Sequence, residues 1–308
     1  MNYNISVIIC TYNRERYMYD VLRSLAEGDC PRSDYEIVWV NNNSSDASAD
    51  EVARFAADYP DVHLRTFKET SQGLSHARNR GIAEAQGDIL VYVDDDATVN
   101  DHYLSAYASF FAAHPDVDAA GGPILPAYEQ GSEPRWMTYH LRRLLTGYLY
   151  FGNNARPFPA DNYPGGGNAA YRRTVFERVG LYNVALGRNG DSLAGGEEKD
   201  IFRKMTAAGM TFWYLPDAIL YHCIPPYKLQ RPYFDRLTLS IGASEQLRTK
   251  ALGPKAYLRR LLAEGVKWGG TLVLALYYLL TLRPGCGAKL IRFRSNVTHG
   301  LLLSSVKN

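Results

Sequence analysis

The sequence predicts an α/β fold, with a mostly parallel sheet flanked by helices and a helical extension at the C-terminal end. The first observation is that short apolar runs alternate with segments of helical spacing as far as residue 114. The second is the apolar run Ile89–Val93, which Asp94, Asp95 and Asp96 follow directly. Strand–helix alternation of this kind produces parallel strands with helices on the faces of the sheet. Such sheets bind ligands at the carboxyl ends of their strands, so the three carboxylates mark a candidate site.

The elements are predicted in order from hydrophobic periodicity. Strands are predicted at residues 5–10, 36–40, 62–67 and 89–93, and helices at 16–27, 47–58, 73–85 and 102–114. Residues 121–167 are rich in Pro, Gly and aromatic residues, and we expect loops there. Helices at 174–179 and 199–208 and strands at 212–214 and 219–222 follow. We expect one α/β domain over residues 1–225, with halves that meet near residue 100, and a helical segment over 226–308.

Composition narrows the class of protein and its compartment. The 308 residues contain 34 Lys and Arg against 32 Asp and Glu, a net charge of +2, which argues against a nucleic-acid partner. The four cysteines lie far apart without a CxxC pair, as expected for reduced thiols. The first residues lead straight into a strand without the pattern of a signal peptide, so we expect a cytoplasmic protein.

The C-terminal segment contains a short apolar stretch, residues 268–282, which falls below the ~20 residues of a spanning helix. Basic residues flank the stretch on both sides: Arg259, Arg260 and Lys267 before it, and Arg283, Lys289, Arg292 and Arg294 after it. Two-sided basic flanks are typical of a helix in the headgroup layer of an anionic leaflet. We therefore predict peripheral contact with the cytoplasmic face of the membrane through residues 256–294. A buried C-terminal helix is the alternative.

Three adjacent carboxylates at the end of a buried strand need compensation by a cation or by hydrogen-bond donors. Oxygen ligands suit Mg²⁺ or Mn²⁺, which usually bind few carboxylates together with substrate phosphates. For an isolated Asp triplet, an acidic turn or helix N-terminus is the alternative.

Four segments would converge at one edge of the predicted sheet: residues 7–14 (VIICTYNR), 38–46 (VWVNNNSSD), 73–81 (GLSHARNRG) and the Asp triplet. Together, in this order, they closely resemble the nucleotide-sugar half of family 2 glycosyltransferases, which have the Rossmann-like GT-A fold. The resemblance covers roughly residues 3–100. More loosely, residues 165–173 (GGGNAAYRR), 195–201 (GGEEKDI) and 214–222 resemble segments of the acceptor half.

The resemblance implies a set of donor contacts. Thr11, Tyr12 and Asn13 would line the base and ribose of a nucleotide-sugar donor. Asn41 stands where relatives commonly have an aspartate that accepts a hydrogen bond from uracil, so the identity of the base stays open. The guanidinium of Arg78 would be offered to phosphate.

The resemblance also implies a metal site and a catalytic base. Asp96 would hold Mn²⁺ or Mg²⁺ with Asp94, which would also face the nucleoside or phosphates, and Asp95 would do either. His222 would join the metal site.

Glu198 stands at the position of the family's base aspartate, with Glu197 beside it. The chain would thus be an inverting glycosyltransferase, moving one sugar from a nucleotide sugar, expected to be a UDP-sugar. The acceptor would be a hydroxyl of a glycan or lipid-linked saccharide in cell-surface polysaccharide biosynthesis.

Three other readings predict features that can be compared with the sequence. A processive polysaccharide synthase would have a Gln-x-x-Arg-Trp motif and several spanning helices. In this sequence Pro134 precedes Arg135-Trp136, and Gln130 does not have the spacing of that motif. A Rossmann dehydrogenase would have a GxGxxG motif after the first strand. In this sequence that place is taken by residues 10–13, which read CTYN. An inactive sugar-nucleotide-binding or scaffold protein would not need the carboxylates at 94–96 and 197–198.

Overall fold

The computed structural model describes residues 4–159, 161–190 and 195–303. The chain forms two compact units, one made of Met1–Ala127 and Gly147–Cys223 and the other of Tyr128–Thr146 and Ile224–Asn308. The first unit has α/β architecture, and the second is mainly helical. The segment Tyr128–Thr146 belongs to the second unit, whereas the sequence analysis included it in residues 101–225.

The described strands form two sheets. In chain order they are β1 (Ile5–Thr11), β2 (Tyr35–Asn41), β3 (Leu64–Lys68), β4 (Ile89–Val93), β5 (Ala97–Val99), β6 (Ala119–Gly121), β7 (Ile124–Tyr128), β8 (Arg156–Pro157), β9 (Asn168–Arg172), β10 (Phe212–Tyr214) and β11 (Leu220–Ile224). The main sheet has the order β3-β2-β1-β4-β9-β6-β10-β8, and the smaller one has the order β5-β11-β7. Strands β1 to β4 are parallel to one another, and β9 is antiparallel to β4 and β6. The predicted α/β class with a mostly parallel sheet is confirmed.

Helices follow most of the strands. In chain order they are α1 (Glu15–Ala26), α2 (Ser48–Asp58), α3 (Leu74–Glu84), α4 (Tyr103–Ala113), α5 (Tyr139–Thr146), α6 (Arg173–Val179), α7 (Glu197–Ala207), α8 (Arg231–Ala251), α9 (Pro254–Leu280) and α10 (Pro284–Leu303). The helices predicted as far as residue 208 are confirmed to within two residues at each end. In the tail, the apolar stretch 268–282 falls at the end of α9 and just beyond it.

Both faces of the main sheet are buried. On one face Val7 and Ile9 of β1 pack in the same apolar cluster as Leu22 of α1. On the other face Ile8 shares a cluster with Ala77 and Ile82 of α3. A parallel sheet that is covered in this way leaves its strand ends as the places where polar side chains gather.

The prediction of loops over residues 121–167 is wrong in part, because β7, β8 and α5 lie within it. Residue 160 lies outside the described residues. Pro126 argues against a strand in the sequence, because proline within a sheet is tolerated mainly in edge strands. In the structure β7 is an edge strand, so it can contain Pro126. The sequence analysis likewise predicts no strand where β9 forms. Its small residues Ala169 and Ala170 have weak strand propensity, and pairing with β4 and β6 places them in the sheet.

The second unit is held together by an apolar core and by hydrogen bonds between helices. The core residues are Met137, Leu141, Leu145, Phe234 and Leu290. Asp235 of α8 accepts hydrogen bonds from Arg292 Nε (2.6 Å) and Asn296 Nδ2 (2.8 Å) of α10. Among the described residues, we find no helix that combines the length and the apolar character that crossing a bilayer requires.

Candidate active site

The candidate site of the α/β unit begins at the carboxyl ends of β1 and β2, where Thr11 and Asn41 are paired in register. The Thr11 hydroxyl accepts a hydrogen bond from Trp39 Nε1 (2.8 Å) and donates one to Met18 Sδ (3.3 Å). The Thr11 side chain is thus directed into the core, and the polar edge of the site begins at Tyr12.

Two asparagines shape the turns that follow these strands. Asn13 has a φ of +53°, and its Oδ1 accepts a hydrogen bond from the backbone N–H of Ser45 (2.8 Å). Asn41 Oδ1 accepts one from the backbone N–H of Ser44 (2.8 Å). The amide at position 41 therefore supplies the acceptor that an aspartate would offer to this turn, without adding a charge.

The Asp triplet follows β4, and two of its side chains face basic groups. Asp95 Oδ1 lies 3.4 Å from Arg14 Nε. Burial raises the pKa of Asp95 to about 7, although the Arg14 charge opposes the rise. Asp96 is buried, and its Oδ1 lies 3.3 Å from His222 Nε2. The pairing of β11 with β5 sets His222 opposite Ala97, which explains how residues so far apart in sequence become neighbours.

Asp94 and Glu198 lie against the same stretch of backbone, Gly166-Gly167. A Cβ atom on Gly167 would lie 2.0 Å from Asp94 Oδ2, and one on Gly166 would lie 1.8 Å from Glu198 Oε1. These distances are far inside van der Waals contact, so the two carboxylates approach the main chain as closely as they do only because both positions are glycine. The sequence analysis named this loop but did not anticipate that it joins the two groups of carboxylates.

Arg78 of α3 connects the two glutamates at the start of α7. Its Nη1 donates to Glu197 Oε1 (2.9 Å), and its Nη2 donates to Glu198 Oε1 (3.0 Å). The residue is only 2% exposed, and its guanidinium lies 5.7 Å and 5.3 Å from the ring centroids of Tyr92 and Tyr182. The guanidinium predicted to bind phosphate is thus bonded to carboxylates.

The two glutamates differ in exposure. Glu197 is buried, and its Oε2 has no hydrogen-bond partner among the described residues. Burial and then the Glu198 charge raise the pKa of Glu197, while Arg78 opposes the rise. The Glu198 side chain is 30% exposed, so it is the carboxylate of this pair that a substrate can reach.

Burial and mutual repulsion oppose the ionisation of the carboxylates at the end of β4. Burial and then the Asp96 charge raise the pKa of Asp94. Within the described part of the chain, no group of three or more His, Cys, Asp or Glu side chains is arranged to hold a metal ion by itself. Asp96 and His222 nevertheless offer an oxygen and a nitrogen next to Asp94. This donor set fits Mn²⁺ or Mg²⁺ where substrate phosphates and water complete the coordination.

Asn168 is a structural residue of the site that the sequence analysis did not single out. Its buried Oδ1 accepts hydrogen bonds from the hydroxyls of Tyr103 (2.8 Å) and Tyr107 (2.7 Å). Its Nδ2 donates to the carbonyl oxygens of Pro123 (2.8 Å) and Ala218 (2.9 Å). Asn168 therefore holds the chain next to the two glycines in a single position.

A mostly parallel sheet with carboxylates at its strand ends and a pair of glutamates nearby defines an α/β protein with a candidate ligand site at the carboxyl edge of the sheet. The sequence profile described as glycosyl transferase family 2 matches residues 6–180. The chain belongs to glycosyl transferase family 2.

Two curated relatives illustrate the range of the family. The chain is 28% identical over 206 residues to the glucosyl-dolichyl phosphate glucuronosyltransferase of Haloferax volcanii, an alignment that covers 64% of this chain and 61% of the relative. It is 31% identical over 109 residues to the poly(ribitol-phosphate) beta-N-acetylglucosaminyltransferase TarS of Staphylococcus aureus, covering 35% of this chain and 19% of the relative. The chain thus spans less than two thirds of the length of these relatives.

Solved structures show the same fold. The mannosyltransferase PcManGT of Pyrobaculum calidifontis, in complex with GDP-Man and Mn²⁺, matches with a TM-score of 0.60 and 21% identity, covering 98% of this chain and 88% of that one. Residues 1–349 of S. aureus TarS in complex with UDP-GlcNAc match with a TM-score of 0.54 and 18% identity, covering 97% and 91%.

Proposed function

We propose that the protein is an inverting glycosyltransferase that moves one sugar from a nucleotide-sugar donor, a UDP-sugar, to a hydroxyl of a glycan or lipid-linked saccharide. The reaction would belong to cell-surface polysaccharide or glycolipid biosynthesis. The observation that carries the proposal is the position of Asp94 and Glu198 against the same backbone, Gly166-Gly167. A group that handles the donor and a group that handles the acceptor are thereby held next to each other.

The donor would lie along the edge formed by Tyr12, Asn13 and Asn41, with Thr11 contributing its main chain. Asp96, Asp94 and His222 would hold Mn²⁺ or Mg²⁺. The ion, when bound, would neutralise the charge that develops on the leaving diphosphate. The ion pair between Asp95 and Arg14 would hold the turn that follows β1 next to the Asp triplet.

Glu198 would act as the general base that removes the proton of the acceptor hydroxyl. Its support is its exposure and its contact with Arg78, which fixes one carboxylate oxygen. Glu197 is buried and would hold Arg78 in place. A single base and a single in-line displacement invert the configuration at the anomeric carbon. In this proposal Arg78 is a positioning residue rather than a phosphate ligand.

A lipid-linked acceptor is supported by the H. volcanii relative, whose name includes glucosyl-dolichyl phosphate. We include in the proposal the peripheral contact of residues 256–294 with the cytoplasmic face of the membrane. Such contact would raise the local concentration of an acceptor held in that leaflet.

The base assignment is tested with the matched variants Glu198→Gln and Glu197→Gln. We expect Glu198→Gln to lower the transfer rate by ~10²-fold or more, since the proton acceptor is lost while the shape is kept. Donor binding, followed by thermal shift, should persist in both variants. Loss of activity in Glu197→Gln alone would exchange the two roles, and full activity in both would place the base elsewhere.

The metal and donor assignments are tested together. Thermal shift with UDP-, GDP- and dTDP-sugars, with and without Mn²⁺, should show a stabilising donor that needs the ion. Asp96→Ala should abolish this dependence and the transfer, whereas Asp101→Ala, which removes an exposed carboxylate a few residues further along the chain, should not. Full transfer by Asp96→Ala, or by the wild-type enzyme in EDTA, would contradict the assignment.

A further inference from the structure

Helix α9 exposes apolar side chains to solvent on the face that points away from the rest of the helical unit. Large apolar side chains on its outward face are exposed, and Val266 and Leu280 reach 78% and 74%. Among the exposed apolar residues of α9, six lie along one line of the helix: Leu258, Leu262, Val266, Val273, Leu276 and Leu280. Spacings of three, four and seven residues keep them along one stripe of the helix.

The opposite side of α9, which packs within the helical unit, carries polar groups. Glu264 is 3% exposed and accepts hydrogen bonds from Arg260 Nη1 (2.7 Å) and Arg294 Nη1 (3.1 Å). Thr298 Oγ1 donates to the same carboxylate (3.1 Å) and accepts from Trp268 Nε1 (3.0 Å). This network fixes the rotation of α9 against α10, so the apolar stripe is held outward by bonds that a rotation would break.

The charge of the segment indicates what covers the stripe. Residues 254–303 contain eight Lys and Arg and a single acid, Glu264, which is buried. Lys255 and Arg259 are exposed at the start of α9, and Arg283 is exposed just beyond its end. A second copy on this stripe would bring these cations against cations, whether the two helices ran parallel or antiparallel. An anionic lipid surface complements both the apolar stripe and its charged ends.

We infer that the outward face of α9 inserts into the headgroup layer of an anionic bilayer, with the helix lying in the plane of the membrane. At about 1.5 Å per residue, the 27 residues of α9 extend for about 40 Å along the surface. The inference specifies the inserting side of the membrane contact in the proposed function. It concerns binding alone, so its failure would leave the assignments of Asp96 and Glu198 untouched.

The test is co-sedimentation of the full-length protein with vesicles of phosphatidylcholine alone or of equimolar phosphatidylcholine and phosphatidylglycerol. We expect the wild type to bind the anionic vesicles and to be released by salt. The pair Val266→Gln with Leu280→Gln should lower the partition coefficient about tenfold or more, because binding follows the apolar area inserted. The matched pair Leu181→Gln with Val184→Gln, which removes exposed apolar side chains from the α/β unit, should bind as the wild type does.

A third variant separates charge from apolar insertion. Lys255→Gln with Arg259→Gln and Arg283→Gln should reduce the preference for anionic over neutral vesicles. Thermal melts without lipid should be unchanged in all three variants, since the substituted side chains are exposed. The inference is overturned if the wild type stays in the supernatant with both vesicles, or if Val266→Gln with Leu280→Gln binds undiminished. It is also overturned if that pair converts a dimer to a monomer in size-exclusion chromatography without a change in vesicle binding.

Discussion

Both units of the chain bury carboxylates, a cluster in the α/β unit and the single residue Glu264 in the helical unit, and the two sets are compensated in opposite ways. In the α/β unit, burial and neighbouring acids raise the pKa values of Asp94 and Glu197 despite the Arg78 charge. In the helical unit, burial raises the pKa of Glu264, but hydrogen bonds from Arg260 and Arg294 outweigh it and hold the value below the usual range. Buried acids with raised pKa values are more common at functional sites, whereas the hydrogen bonds of Glu264 connect α9 to α10.

The largest expected effect comes from removing the cation of the α/β cluster. Arg78→Met leaves Glu197 and Glu198 without their shared guanidinium, so we expect the free energy of unfolding to fall by about 3–5 kcal/mol and transfer to be lost. Urea unfolding and a transfer assay measure the two effects. Arg80→Met, which removes a partly exposed arginine of the same helix, should cost no more than about 1 kcal/mol. Equal stability of the two variants would show that Arg78 does not compensate the glutamates.

The second prediction tests whether Glu264 contributes to stability without contributing to transfer. Glu264→Gln should lower the free energy of unfolding by about 3 kcal/mol, because Arg260 and Arg294 lose a buried anionic partner. Transfer per folded molecule should stay unchanged, since Glu264 has no part in the proposed chemistry. Glu177→Gln, at an exposed position, is the control and should have little effect on unfolding. A stable Glu264→Gln protein would contradict the structural role.

The smallest effect is a difference in pH dependence. Glu197 has a raised pKa, so the folded state binds its proton more tightly, and stability falls as the pH rises from the usual 4.5 through the raised value. Glu264 has a lowered pKa, so its contribution is present above 4.5 and is lost as the pH falls through the lowered value.

Denaturant unfolding at a series of pH values checks both signs. Glu197→Gln should flatten the curve on the neutral side, and Glu264→Gln should flatten it on the acid side. Two variants with the same pH profile as the wild type would show that neither shift contributes to stability.

Much of the fold could be predicted because its elements have local signals. Residues 89–93 form a strand with the predicted bounds, since five successive apolar residues are buried on both faces of the sheet. Strand β9 could not be predicted in the same way, because pairing with β4 and β6 decides its conformation. The prediction of loops over residues 121–167 is wrong in part for a related reason, because β7 forms only through its pairing at the edge of a sheet.

The sequence could predict which residues make up the candidate site, but not which of them bond to one another. The sequence analysis placed His222 beside the Asp triplet, and the structure brings its Nε2 within 3.3 Å of Asp96. It assigned Arg78 to phosphate, since a guanidinium on a helix suits either phosphate or carboxylate. Only the folded chain shows that its bonds go to glutamates more than a hundred residues away. The inward orientation of Thr11 likewise depends on Trp39, which lies in the neighbouring strand.

The glycines at 166 and 167 have a consequence for how the sequence can vary. Because each would place a Cβ atom within about 2 Å of a carboxylate oxygen, the spacing between the two acids is set by main chain, which shifts less than a side chain does. An added carbon atom at either glycine would force one of the two carboxylates to move. In a library of random substitutions selected for transfer, we expect these two codons to return glycine.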